Sequence, residues 1–354
     1  MFDRKTILVT GGTGSMGKTF VRRVLSGTYG TPKQVIVLSR DEAKQHEMRM
    51  DYLHKRVATD EVIYRNFNNV LVFRIGDVRN YSDVCAAIKN ADIVVNAAAL
   101  KQVPTCEYFP VQAVLTNCMG AANIVRAIEE NRYPVQTVVG VSTDKACKPI
   151  NVMGMTKSVQ ERIFTAANIA APGTRFICVR YGNVLASRGS VIPLFISQIN
   201  NGGPVTVTVP KMTRFLISLD EAVNTVTAAI EHAEPGDTFI PVASSATVIN
   251  IAKALVGDRD IDIQITGIRP GEKMHEVLIS EEEAHHCSRK GNYYAISSML
   301  PELSNGKQFN RDLLKGEYSS GDNVLSLEET IALLKRHKLT VDDVRFSTTG
   351  ELLR

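Results

Sequence analysis

Thr6-Ile7-Leu8-Val9-Thr10 leads directly into Gly11-Gly12-Thr13-Gly14-Ser15-Met16-Gly17, after which Phe20, Val21, Val24 and Leu25 recur at helical spacing. A short, β-branched apolar run of this kind suits a strand buried on both faces of a parallel sheet. Strand, glycine turn and helix follow in the order that binds a dinucleotide. Gly11 permits the tight turn, Gly14 lets the backbone approach a pyrophosphate, and Gly17 lets the helix lie close to the strand. The helix N-terminus offers unpaired N–H groups to the phosphate oxygens.

The same alternation continues outward from this unit. Gln34–Leu38 reads as a second strand. Val70–Ile75 runs into Gly76-Asp77-Val78, and Ile93–Val95 runs into Asn96-Ala97-Ala98-Ala99. Thr137–Val141 ends at Ser142-Thr143, and Phe176–Arg180 ends at Tyr181-Gly182-Asn183. Helical patterns over Ser82–Lys89 and Pro110–Asn131 separate them. Strands alternating with helices predict an α/β fold with a doubly wound parallel sheet, whose ligands bind at the carboxyl ends of the strands. Ser39, Arg40, Asp77, Asn96, Ser142, Thr143 and Asn183 stand at those ends. At the second strand's tip, Ser39, Arg40 and Lys44 offer a hydroxyl, a guanidinium and an ammonium. That set suits the 2′-phosphate of NADP. Asp41 keeps NAD open as the less favoured cofactor.

A length of 354 residues suggests about two domains. With 44% hydrophobic and 22% charged residues, the composition is that of a globular chain with a sizeable core. The net charge of +4 is spread along the chain, so nucleic acid is not an expected partner. No apolar run has the length of a membrane span, and the first strand begins too early for a signal peptide, which points to the cytoplasm. The six cysteines form no C-x-x-C pair, and reduced, packed thiols are expected. His285-His286-Cys287 is the one stretch open to a metal reading, but adjacent side chains seldom converge on one ion, and no metal is expected. Glu281-Glu282-Glu283 before it reads as the first turn of an exposed helix. Further patterns predict a helix over Ile192–Ile199, a strand over Thr206–Val209, a helix over Glu221–His232 and an edge strand over Ile261–Ile265.

Ser142-Thr143-Asp144-Lys145-Ala146-Cys147-Lys148-Pro149-Ile150-Asn151-Val152-Met153-Gly154-Met155-Thr156-Lys157 is more specific. It resembles the extended short-chain dehydrogenase/reductases, and within them the nucleotide-sugar 4,6-dehydratases that invert C5. Ser39–Glu42, Ala98–Pro104, Arg180–Val184, Ser187–Pro193 and Arg269–Lys273 agree with that family. One position departs from it: Met153 stands where the family has its catalytic tyrosine. The Met-x-x-x-Lys form, with Leu325–Glu329 and Leu352–Arg354, is similar to a capsule and O-antigen subgroup. That subgroup converts UDP-N-acetylglucosamine on the route to UDP-N-acetyl-L-fucosamine.

The resemblance implies three regions. Residues 1–185 would form the main part of an NADP-binding Rossmann domain, its sheet completed by later segments. Residues 186–282 would form a smaller α/β domain for the nucleotide sugar, and 283–354 a C-terminal extension with oligomer contacts. The implied cofactor residues are Gly11, Thr13, Gly14, Ser15, Met16, Gly17, Ser39, Arg40, Lys44, Asp77, Val78, Ala97, Ala98, Ala99, Lys101, Asn117, Ser142, Lys157 and Tyr181. The implied substrate residues are Lys101, Asn183, Arg188, Val191, Pro193, Phe195, Arg214, Arg269 and Glu272. The arginines would pair with a diphosphate. A homo-oligomer built on dimers, up to a hexamer, is the expected assembly.

In the implied reaction Asp144 is the acid at C6, Lys145 the base at C5, Thr143 bonds the C4 oxygen, and Lys157 holds the nicotinamide ribose. A thioether exchanges no proton, so the base at C4 stays open among Lys101, a water and Lys145 acting twice. The bland alternatives are a Met153 that only packs, solvated or structural arginines, and Asp144-Lys145 as a local ion pair. The rival functions are a UDP-sugar 4-epimerase and a non-catalytic nucleotide-binding regulator.

Overall fold

The computed structural model describes residues 1–53, 67–185, 187, 190–304, 313–314, 316–343, 345–346 and 352–353, the last two pairs as backbone only. Six parallel strands come first: β1 Thr6–Thr10, β2 Gln34–Ser39, β3 Leu71–Ile75, β4 Ile93–Asn96, β5 Thr137–Val141 and β6 Arg175–Val179. The short β7 Asn183–Val184, β8 Val205–Val207 and β9 Thr213–Ile217 follow, then β10 Thr238–Pro241, β11 Ser244–Thr247, β12 Ile263–Ile265 and β13 Val277–Ile279. The hairpin β14 Cys287–Lys290 and β15 Tyr293–Ile296 precedes β16 Tyr318–Ser319. The large sheet has the order β14-β15-β10-β6-β5-β4-β1-β2-β3. β1 pairs in parallel with β2 on one side and β4 on the other, so the chain reverses direction beside the glycine turn. That reversal opens the crevice in which such sheets bind ligands.

Alternate residues of each strand feed two cores. Ile7 and Val9 pack with Phe20 and Val24 of the helix Ser15–Leu25 and with Val223 and Val226 of the helix Leu219–His232. Leu8, Val94 and Val138 face the other way, against Ile124 and Phe164 of the helices Gly120–Asn131 and Val152–Ala170. A third core gathers Phe195, Val205, Leu255 and Leu334 under the smaller part of the molecule.

Several expectations change in detail. β10 pairs in parallel with β6, and β15 and β14 add antiparallel strands beyond it, so residues 287–296 of the expected extension belong to the main sheet. The single helix expected over Pro110–Asn131 is interrupted by a wider π-type turn at Val114–Met119. Asn117 projects from that turn and is fully buried. Glu281–Ala284 is a helical turn, but Glu283 is buried rather than exposed. The Ser280 capping box turns it inward, where its carboxylate takes two bonds from Arg180. Among the described residues, no helix is long and apolar enough to cross a membrane.

Candidate active site

The carboxyl ends of β1, β4, β5 and β6 open into one cleft of about 720 Å³, which extends to the loop 269–272. Its floor is the glycine turn. Gly11 has φ +65, and a Cβ there would collide with Ala98. A Cβ on Gly17 would strike Gly12, so the helix can approach the turn only with glycine at this position. Gly14 is the N-cap and supplies no side-chain bond, which leaves the first helical N–H groups facing the cleft for an anion. Thr13, Ser15, Met16, Lys44, Ala97, Ala98, Ala99, Lys101, Ser142, Lys157 and Tyr181 line the same cleft. This cradle fits a dinucleotide.

The tip of β2 is built from opposed charges. Thr13 and Ser39 share a hydroxyl–hydroxyl bond of 3.0 Å. Lys44 Nζ lies 2.9 Å from the carboxylate of Asp41, so this acid already carries a cation. Arg40 is 3.9 Å from Asp77, whose carboxylate also takes Arg79 at 2.6 Å. Burial alone would raise the Asp77 carboxyl, but the Arg79 bonds and the Arg40 charge outweigh it and hold it below its ordinary value. Arg40, Asp77 and Val78 lie outside the cleft lining. Asn117 is also set back: its amide donates to Leu100 O and Thr156 Oγ1, which fixes the end of β4.

Beyond β5, Thr143 is extended and caps the turn Asp144–Ala146. Its hydroxyl donates to Asp144 Oδ1 at 2.8 Å, and Lys145 Nζ donates to the same oxygen at 3.0 Å. Lys145 Nζ also donates to Asn183 Oδ1 at 3.3 Å and lies 3.3 Å from Glu276 Oε1. Burial pushes this ammonium down, but Asp144 and Glu276 outweigh burial and the opposing Arg214 charge, so it is held above the ordinary lysine value. Thr143, Lys145 and Glu276 reach the cleft wall, whereas Asp144 is 0% exposed and lies behind them. Direct contact between Asp144 and a sugar is therefore not what this geometry offers, because its neighbours stand in the way.

The helix Val152–Ala170 begins at Asn151, whose side chain accepts from Gly154 N at 2.8 Å. A Cβ on Gly154 would collide with the Lys145 carbonyl, so this glycine lets the helix press against the Asp144–Lys145 turn. Met153 lines the cleft and packs with Cys106 and Ala113. Lys157 lies one turn on, and burial pushes it down to about 8. Its Nζ donates to Gln160 Oε1 at 2.8 Å.

The far wall carries Val191, Phe195, Arg269 and Glu272, and one carboxylate oxygen of Glu272 is buried without a hydrogen-bond partner among the described residues. Pro193 is not on the wall, although its helix neighbours Val191 and Leu194 are. Arg188 lies outside the described residues. Arg214 borders the cleft, but its Nη1 donates to Thr213 O and Lys273 O, so the guanidinium is largely engaged by backbone. Lys273 Nζ donates to Cys147 O at 2.6 Å, which ties the 269–273 loop to the turn that carries Lys145. Glu276 is the site residue that sequence reading missed. The only sequence signal was its place directly after the Arg269–Lys273 stretch.

A family model described as "Polysaccharide biosynthesis protein" matches residues 7–298. The chain belongs to that family. Its members share the extended short-chain dehydrogenase/reductase fold of nucleotide-sugar dehydratases and epimerases. A protein of Rickettsia conorii named UDP-glucose 4-epimerase is 42% identical over 98% of both chains. The X-ray structure of Pen from Bacillus thuringiensis is 34% identical, with a TM-score of 0.84 over 96% of this chain and 99% of that one. The dTDP-glucose 4,6-dehydratase of Streptomyces venezuelae, solved with NAD, shares the fold at 20% identity, with a TM-score of 0.64 over 76% of this chain and 86% of its own.

Proposed function

We propose that the protein is an NADP-dependent UDP-N-acetylglucosamine 4,6-dehydratase that inverts C5 and serves surface polysaccharide synthesis. The observation that supports it is Lys145 on the cleft wall, held between the carboxylates of Asp144 and Glu276. Eliminating water across C5 and C6 requires a base and an acid side by side, whereas moving hydride to and from C4 alone does not. A second reading, a UDP-sugar 4-epimerase, draws on the name given to the Rickettsia relatives. Product mass separates them. Incubation with UDP-N-acetylglucosamine should give a product one water lighter, with inverted C5 in its NMR spectrum. Unchanged mass with inverted C4 would favour the epimerase.

A nicotinamide dinucleotide held here would supply reversible hydride transfer for C4 and C6. Gly11, Thr13, Gly14 and Ser15 would hold the pyrophosphate and Lys157 the nicotinamide ribose. Thr143 would bond the C4 oxygen, its hydroxyl set by Asp144 Oδ1. Once C4 is a ketone, the C5 hydrogen is acidified, and Lys145, after giving up its own proton, removes it. Asp144 works through Thr143 and Lys145, fixing both. Arg269 and Glu272 would face the nucleotide end. Tyr108, Phe109 and Val111 expose 82%, 59% and 64% of their surface where the helices Val103–Tyr108 and Pro110–Ala113 meet, which suits the expected homo-oligomer.

Two outcomes are expected here. Arg40→Ala should weaken NADP by about tenfold to a hundredfold, the worth of a charged hydrogen bond, and NAD far less. Titration calorimetry with both dinucleotides measures this, and equal losses would count against a 2′-phosphate contact. Met153→Tyr should change the dehydration rate by less than the roughly 10²–10⁴-fold that a working general base contributes. A gain of that size would show that the native site is only a degraded tyrosine site.

A further inference from the structure

Glu276 is 98% enclosed by protein, yet it borders the cleft. Its Oε1 lies 3.3 Å from Lys145 Nζ and 3.9 Å from Arg214 Nε, and its Oε2 has no hydrogen-bond partner among the described residues. The backbone fixes it from both directions: Glu276 N donates to Ser320 Oγ at 2.9 Å, and Ser320 N donates to Glu276 O at 2.8 Å. Lys273 and Arg214 are the other cations that face this acid. A buried carboxylate oxygen left unbonded costs desolvation free energy; Asp144 Oδ2 is unbonded too, but Asp144 lies behind Thr143 and Lys145, whereas Glu276 borders the cleft, so a ligand can meet it.

Resting on the dehydratase reading, we infer that Glu276, and not Asp144, is the catalytic acid that protonates the departing C6 hydroxyl. One proton crossing the 3.3 Å contact turns the Lys145 ammonium and Glu276 carboxylate into an amine and a carboxylic acid. In the 4-keto sugar the amine takes the C5 proton. The C5–H electron pair becomes the C5–C6 double bond, the C6–O bond breaks, and the Glu276 proton leaves with that oxygen as water. The pair ends as ammonium and carboxylate, and a solvent proton, balancing the one lost from the C4 hydroxyl, reaches C5 as hydride returns to C6. Asp144 keeps its charge throughout and holds Lys145 and Thr143 in place.

The test compares UDP-N-acetylglucosamine with its 6-chloro-6-deoxy analogue, whose chloride leaves without a proton. Glu276→Gln, with NADP bound, should lose about 10²–10⁴-fold on the hydroxyl substrate and little on the chloride. Lys145→Ala should fail on both, because each needs the C5 proton removed. Asp144→Asn should lose the same factor on both. Glu276→Asp, which keeps the acid, should retain the hydroxyl reaction better than Glu276→Gln and covers the case in which the glutamine variant folds poorly. Equal losses for Glu276→Gln on both substrates, or selective rescue of Asp144→Asn by chloride, would overturn the assignment. Wild-type protein that releases no water at all would remove the dehydratase reading itself.

Discussion

Lys145→Ala is expected to lose dehydration by about 10²–10⁴-fold, the usual contribution of a general base, while dinucleotide affinity stays near that of the wild type. The glycine turn that holds the pyrophosphate follows β1, whereas Lys145 follows β5, and β4 lies between them. The loss should therefore fall on kcat and not on cofactor binding. Heavy water gives an independent reading. Wild-type product should carry solvent deuterium at C5, and its C6 methyl should carry the hydrogen that began at C4. Retained C5 configuration with full water loss would place the enzyme among non-inverting dehydratases. Near-normal turnover in Lys145→Ala would reduce the contacts around its ammonium to a structural ion pair.

The largest effect on stability is expected at Arg180. Its guanidinium spans Glu161 and Glu283, with charged contacts of 2.7 Å to each, and also donates to Leu278 O. All three charged side chains are buried. Arg180→Met should cost about 3–5 kcal/mol, because it strands two carboxylates in a dry interior. Adding Glu161→Gln and Glu283→Gln should recover much of that loss, and chemical denaturation of the variants measures both. Burial raises the Glu283 carboxyl, but Arg180 outweighs it and leaves the group below its ordinary value. Its stabilising contribution is thus full above the unfolded carboxylate value of about 4.3. It is lost as pH falls through the lower folded value. The stability gap between wild type and Arg180→Met should shrink on acidification; a gap that widens there would contradict the pairing.

The dinucleotide half was legible because its signals are local. Gly11, Gly14 and Gly17 sit within one turn, and the residues at strand ends follow apolar runs that can be counted directly. Thr143 was legible for the same reason, whereas Lys145 came from the family resemblance of the Thr143-Asp144-Lys145 stretch. The other wall was not. Glu276 meets Lys145 only because β13 and the 269–273 loop fold back across the cleft, and no periodicity encodes that approach. Arg214 reads as an anion ligand in the sequence, but the carbonyls of Thr213 and Lys273 occupy much of its guanidinium. Asp144 looks accessible beside Thr143 until the short turn Asp144–Ala146 tucks it behind its neighbours. Asn117 shows the same limit: the resemblance implies a cofactor contact, while the π-type turn buries its amide against Leu100 O and Thr156 Oγ1.

The order in which the ribosome releases this chain follows from the way late residues complete early ones. β1 to β6 and their helices emerge first and can begin to pack as a unit. The outer edge of β6 remains open until β10 arrives, an exposed strand edge that can pair wrongly in a crowded cytosol. Glu276 is synthesised later still, and its amide finds Ser320 only when that segment follows. On the proposed reading a nascent chain would therefore gain its nucleotide cradle well before its acid, so the half-made protein would grip a dinucleotide without being able to spend it on chemistry.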